Sequence, residues 1–255
     1  MSKVIAVANQ KGGVGKTTTA INLSSALSHF GRKVLLVDMD PQGNAGRGLG
    51  IDITVQKNTI YEVLMGYTDI QRAILKTSFD GLQVIPANLR LASLEASASA
   101  SDPLFLLSKV LKQLPENQFD YIILDCPPSL GLLCLNALIA SNSVLIPVQC
   151  EYFAMEAVAS ILATITKVQH DNNPTLHIEG FLLTMYDART NLGTEISTQV
   201  RGLFKENTFL TSIPRNQSVQ ESQGLQMPVT SFRPSSSGAL AYFSLAREVM
   251  DHEER

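Results

Sequence analysis

The chain has 255 residues, 45% of them hydrophobic, which suits one large α/β domain or at most two small ones. A net charge of −3 excludes a chain that is basic throughout and binds nucleic acid by bulk charge, and leaves room only for a local basic patch. Cys126, Cys134 and Cys150 are odd in number and lack C-x-x-C spacing, so a disulfide framework or zinc site is not expected; buried thiols in a reducing cytoplasm are.

In chain order, Val4-Ile5-Ala6-Val7-Ala8 reads as a buried strand. No leader is expected ahead of it, and no apolar run reaches the ~20 residues of a membrane span. The strand runs directly into Asn9-Gln-Lys-Gly-Gly-Val-Gly-Lys-Thr-Thr-Thr19, a glycine-rich turn that opens a helix. That helix carries Ala20, Leu23, Leu27 and Phe30 at helical spacing and stops at Gly31. Val34–Val37 is the second strand and ends in Asp38-Met-Asp40-Pro41.

Residues 59–76 read as helical in two pieces broken near Gly66, and Leu82–Ile85 as a short strand. The Ala/Ser-rich stretch 92–101 reads as a mobile connector in preference to a small helix. Residues 103–114 are helical. Tyr121–Leu124 is a strand ending in Asp125-Cys126-Pro127-Pro128. A helix near 130–140, a strand over 143–148 and a long helix over 154–170 follow. Then come a strand over 177–185, a helix over 193–206, a strand over 208–213, a loop, and a C-terminal helix from about 236.

Helices alternate with continuous apolar strands. That predicts an α/β fold with a mostly parallel twisted sheet and helices on both faces, a single domain over 1–255, and the glycine loop after the first strand makes it of the P-loop type. Polar ligand groups then gather at the carboxyl ends of the strands. Four features sit there: the glycine loop, Asp38/Asp40, Asp125 and the 214–216 loop.

Their chemistry points to a nucleotide polyphosphate. Glycines let backbone N–H groups close on phosphate oxygens, and the helix N-terminus adds its dipole. Lys16 adds a full charge, and the Thr17 hydroxyl is placed for Mg²⁺. The pattern departs from the usual G-x-x-x-x-G-K-[ST]: Gln10 stands at the first glycine position, with Gly12 and Gly13 inside the spacer. A second lysine, Lys11, is costly beside an apolar strand end without an anion to meet it. Asp125 has the pattern of a carboxylate that holds Mg²⁺ opposite Thr17. Asp40, held by Pro41, is the better candidate for positioning water in line with the γ-phosphate. Asp38 is left to brace Lys16 or the magnesium waters.

Lys11–Thr18, Val37–Asn44, Ile123–Ser129 and Ile213-Pro-Arg-Asn216 together resemble the deviant Walker-A ATPases of the ParA/Soj chromosome-partitioning type, within the ParA/MinD superfamily. The resemblance runs essentially end to end and includes Pro147–Ala154 and Leu183–Gly193. It implies ATP and Mg²⁺ as cofactors and an ATP-bound sandwich homodimer in which Lys11 reaches the partner's nucleotide. Gly12, Gly13, Val14, Gly15, Lys16, Thr17 and Thr18 then cradle the phosphates, with Thr18 at the α-phosphate. Pro214 and Asn216 border the adenine, and Glu151 lies near the dimer face.

The resemblance also implies non-specific DNA binding through Arg189, hydrolysis stimulated by a ParB-type centromere-binding protein, and a nucleoid-associated cytoplasmic location. One arginine of the pattern is missing, because Ser218 stands there; Arg201, Lys205 and Arg215 are the candidates to compensate. Longer members carry an N-terminal operator-binding extension; with the first strand near residue 3, sequence-specific repression is not expected.

Three other readings compete. A related positioning ATPase would move a protein or membrane cargo without binding DNA. A membrane-targeted division-site ATPase would carry a basic amphipathic C-terminal helix, which Asp251, Glu253 and Glu254 oppose, so a membrane partner is not expected. A small-molecule ligase or iron–sulfur reductase would share the loop, with Cys126 and Cys134 as a loose cluster pair.

Overall fold

The computed structural model describes residues 2–96, 102–151 and 154–252. Among these residues eight strands form one sheet: β1 (Lys3–Val7), β2 (Val34–Asp38), β3 (Leu75–Lys76), β4 (Leu82–Ile85), β5 (Tyr121–Asp125), β6 (Ser143–Gln149), β7 (His177–Tyr186) and β8 (Thr208–Pro214). Their order is β3-β4-β2-β5-β1-β6-β7-β8. Every pairing is parallel except β3 with β4.

Helices cover both faces: α1 (Lys16–His29), α2 (Asn44–Arg47), α3 (Ile60–Leu64), α4 (Ile70–Ala73), α5 (Ala92–Ala96), α6 (Leu106–Leu111), α7 (Leu132–Ala140), α8 (Ala154–Asp171), α9 (Asn191–Phe204), α10 (Gln217–Gly224), α11 (Val229–Phe232) and α12 (Ser237–Asp251). Alternation along each strand divides the core in two. Ile5 and Val7, Val34 and Leu36, and Tyr121 and Ile123 pack on one face with Leu23 and Leu27 of α1 and Tyr242 and Leu245 of α12. Ala6, Leu35, Val37, Ile122 and Leu124 face the other side, under α3, α6, α7, α8 and α9. Burial on both faces is why these strands read as unbroken apolar runs.

The differences from expectation have physical reasons. The helical stretch over 59–76 does break at Gly66, but its last residues form β3, which caps the sheet edge against Val84 and Gln83. Residues 92–96 of the expected mobile connector form α5, anchored by buried Leu91 and Leu94; residues 97–101 lie outside the described residues. The short helices α2, α10 and α11 fall in stretches that carry too few apolar residues to show a period.

Strand β8 ends the sheet, and side chains take up backbone groups near its middle. Arg201 donates to the Phe209 and Leu210 carbonyls at 3.0 and 3.1 Å. Glu248 accepts from the N–H groups of Leu210 and Thr211 at 2.7 and 2.8 Å. Side chains held on the edge in this way oppose pairing with another strand. Arg201 therefore works as a structural residue, which corrects its place among the compensating DNA contacts.

Candidate functional site

Strand register assembles the site. Val7 and Asp38 both pair with Asp125, so the glycine loop leaving β1 and the acidic ends of β5 and β2 are neighbours. The loop is anchored by Asn9, whose Nδ2 donates to the Pro147 carbonyl at 2.7 Å and whose Oδ1 accepts from the Lys11 N–H at 3.0 Å. Gly13 and Gly15 hold φ of 75° and 89°, a left-handed backbone that other residues rarely adopt. Gly15 caps α1 in this conformation. Thr184 of β7 braces the loop from the far side, donating to the Val14 carbonyl at 2.9 Å.

Two cavities meet over this loop. A recess of about 340 Å³, called the phosphate recess below for the glycine loop that lines it, is bounded by Gly12, Gly13, Gly15, Lys16, Thr17, Thr18, Asp40, Asn44 and Pro128. A second, of about 160 Å³, is lined by Thr184, Ile213, Pro214, Asn216, Val219 and Tyr242. Both share Gly15, Thr18, Met185 and Gln223, so they form one cleft. Pro214 and Asn216 thus stand beside the glycine loop although about 200 residues separate them in sequence.

Lys16 is buried, and its Nζ donates to the Lys11 carbonyl at 3.0 Å. Burial pulls its pKa below the ordinary lysine value, and the nearby Asp125 carboxylate pulls it back up. A desolvated cation at a helix N-terminus is suited to an incoming anion. Asp125 is fully buried, and neither carboxylate oxygen has a hydrogen bond of good geometry. Burial and neighbouring Asp38 push its pKa well above the usual range, while the Thr17 hydroxyl beside it pulls the other way. A buried carboxylate with unused oxygens next to a threonine hydroxyl and a phosphate recess fits Mg²⁺, which takes few protein ligands and keeps phosphate and water for the rest.

Asp38 has a different occupation from the one expected. Its oxygens accept from the N–H groups of Asp40 at 3.1 Å, Ala45 at 3.0 Å and Gly46 at 3.3 Å. It holds the Asp40 turn and the start of α2, and neither lysine nor cleft is within its hydrogen bonds. Burial raises its pKa to about 7 against those three N–H groups. Asp40 lines the phosphate recess, with Oδ1 accepting from the Gln42 N–H at 2.9 Å.

Lys11 and Val14 do not line the recess. The Lys11 side chain turns to Glu151, 3.4 Å from Oε2, and Gln149 donates to the other oxygen of that carboxylate. Arg189 follows β7 on the surface, gripped by Asp187 through Nε at 2.9 Å and Nη2 at 2.7 Å. This guanidinium and nearby Arg215 hold the Asp187 pKa down at about 2. Lys205 and Arg215 are exposed, whereas Ser218 is buried on the inner side of α10. Cys126, Cys134 and Cys150 are free and buried, as expected; contact with Cys134, then burial, raises the Cys126 thiol pKa.

Sequence reasoning missed Met185, Tyr242, Asn44 and Gln223. Met185 leaves a trace by ending an apolar strand, and Asn44 by closing the Val37–Asn44 stretch, though neither trace assigns a site role. Tyr242 and Gln223 come from helices whose place over the cleft depends on tertiary packing.

A parallel sheet whose first strand opens into a glycine cradle, with a buried lysine and two acidic strand ends beside it, defines a P-loop nucleoside triphosphatase. The family model described as an AAA domain matches residues 2–178. The chain is 46% identical over 249 residues to the sporulation initiation inhibitor protein Soj of Bacillus subtilis, covering 98% of each chain. It is 46% identical over 254 residues to the chromosome partitioning protein ParA of Myxococcus xanthus, covering 99% of this chain and 89% of that one. Among solved structures, cobyrinic acid a,c-diamide synthase of Mycobacterium smegmatis with bound ADP and magnesium superposes with a TM-score of 0.87. That protein shares 37% identity, with 100% of this chain and 96% of the other covered. The chain belongs to the ParA/Soj family of chromosome-partitioning ATPases.

Proposed function

We propose that this chain is a single-domain DNA-partitioning switch that binds ATP with Mg²⁺ and closes into a sandwich homodimer. The dimer holds DNA without sequence preference and releases it after hydrolysis stimulated by a ParB-type centromere-binding partner. It works in the cytoplasm on the nucleoid, and segregates chromosome or plasmid DNA.

Gly12 to Thr18 cradle the phosphates, Lys16 meets the β- and γ-phosphates, and Thr18 serves the α-phosphate. Thr17 and Asp125 would hold Mg²⁺, whose charge offsets that of the phosphates. Asp40, on the wall of the recess, orients the attacking water. Pro214 and Asn216 border the adenine. The observation that carries the dimer is the direction of Lys11: a flexible cation beside the cradle that turns out of its own phosphate recess is available to a partner's. There it neutralises phosphate charge as an arginine finger does.

Arg189 and Arg215 supply the basic surface beside the cleft, and Arg215 also lines the nucleoside cavity, so nucleotide and DNA contacts share one strand end. The second reading, a positioning ATPase for another cargo, is favoured by the Asp187 clamp on Arg189 and by buried Ser218. Among the described residues no helix is long and apolar enough to cross a membrane.

Light scattering with Asp40→Ala, Mg²⁺ and ATP, with and without duplex DNA, tests the proposal. A dimer that then binds DNA is expected. A monomer at every concentration refutes the trans role of Lys11, and a dimer blind to DNA turns the reading to another cargo.

A further inference from the structure

Helix α10 spans the cleft. Asn216 caps its N-terminus, with Oδ1 accepting from the Val219 N–H at 3.3 Å. Asn216, Val219 and Gln220 line the nucleoside cavity. At the other end Gln223 lines the nucleoside cavity, the phosphate recess and a third groove floored by Thr17, Thr18 and Arg47. Its Nε2 donates to Thr18 Oγ1 at 2.7 Å, joining α10 to the first turn of α1.

The backbone beneath Gln223 is tightly held. Helix α10 ends with Gln226 in the left-handed region at φ 57°. The Gln226 N–H donates to the Gln223 carbonyl and the Met227 N–H to the Ser222 carbonyl, both at 3.1 Å. This paired closure fixes the last turn of the helix. Gln223 is exposed, so a loose surface side chain is the plain alternative; the fixed turn and the hydroxyl contact distinguish it from one.

A threonine hydroxyl has one proton and two lone pairs. With a lone pair taken by Gln223, its proton is left for a different acceptor, and the donated bond polarises the O–H toward that acceptor. The cleft is where a phosphate oxygen would be. We infer that Gln223 is a nucleotide-positioning residue: it presets the Thr18 hydroxyl as a phosphate donor and clamps α10 across the bound nucleotide. The inference rests on the reading of Thr18 as an α-phosphate ligand. Because that phosphate is common to ADP and ATP, the clamp serves both.

The test is equilibrium binding of ADP with Mg²⁺, by fluorescence competition, to wild type, Gln223→Ala, Thr18→Val and the double variant. Gln223→Ala is expected to weaken ADP by about threefold to tenfold, the effect of one hydrogen bond. Added to Thr18→Val, it is expected to change affinity by less than about twofold, since the two residues act as one unit. Gln223→Glu keeps the length, puts a carboxylate near phosphate, and is expected to lose more than alanine does. A wild type that takes no ADP overturns the nucleotide reading and this inference together. A wild type that binds, with Gln223→Ala within about twofold of it or losing the same factor in both backgrounds, overturns the role of Gln223 alone. Melting without nucleotide is expected to fall only slightly in Gln223→Ala, by the loss of one exposed hydrogen bond; a lowered melting point with an unchanged ADP affinity also overturns it.

Discussion

Arg189 offers the sharpest test of the DNA reading because its charge is already engaged. Its guanidinium makes two hydrogen bonds to Asp187, at 2.9 and 2.7 Å, while 89% of the side chain remains exposed. An exposed pair in water holds its partner weakly, by at most about fivefold in an equilibrium. A DNA phosphate can therefore take Arg189 from Asp187. Each phosphate contact contributes about 0.9 to the slope of log K against log salt, so two Arg189 side chains in a dimer contribute about 1.8. Between about 50 and 200 mM salt that slope corresponds to roughly a twelvefold change in affinity. Fluorescence anisotropy with labelled duplex, Mg²⁺ and ATP over this range should show Arg189→Ala with a slope shallower by about 1.8. Asp187→Asn should bind DNA more tightly, by up to about fivefold per arginine. An unchanged slope in Arg189→Ala, or weaker binding in Asp187→Asn with the fold intact, refutes the assignment.

Lys16→Ala is expected to lose ATP hydrolysis by more than about a hundredfold in a phosphate-release assay, since it removes a preorganised charge from the phosphate recess. Asp40→Ala should still bind nucleotide but hydrolyse it at least about tenfold more slowly; the wild-type rate would remove its water-positioning role. Lys11→Ala should leave nucleotide binding nearly unchanged and weaken the ATP-dependent dimer in sedimentation, because Lys11 lies outside its own recess. By NMR titration the Asp187 carboxyl should ionise below the ordinary aspartate value of 3.8 and move back toward it in Arg189→Ala. The sign follows from the depressed pKa: the pairing is present above the unfolded value and lost as pH falls through the folded one.

Much of the fold is legible because the sheet is buried on both faces. Leu35 and Val37 serve one layer while Val34 and Leu36 serve the other, so β2 appears as four consecutive apolar residues. The amphipathic helices α8 and α9 show their period for the opposite reason, with one face in water and one against the sheet. Helix α10 shows neither pattern. Its inward positions are Ser218 and Ser222, four residues apart and both buried. Serines on an inner face carry no hydrophobic period, and the helix reads as loop.

That silence bears on the site. The glycine loop, Asp40 and Asp125 are legible because each lies at or just past a strand end, and Lys16 because it follows the glycine loop into α1; strand ends in a parallel sheet share one edge. Asp38 shares that edge but differs in role, because three backbone N–H groups take up its oxygens. Position along a strand end thus identifies candidates, and hydrogen-bond satisfaction separates them. Among the described residues Asp125 has none of good geometry, which is why it is the carboxylate proposed for Mg²⁺; Asp38, with three, is a fixed part of the frame. Gln223 lies outside this logic, since it reaches the cleft from a helix the periodicity does not reveal. A residue that crosses from one wall of a nucleotide cleft to the other is visible only once both walls are placed. In this chain 205 positions separate Gln223 from the Thr18 hydroxyl to which it donates.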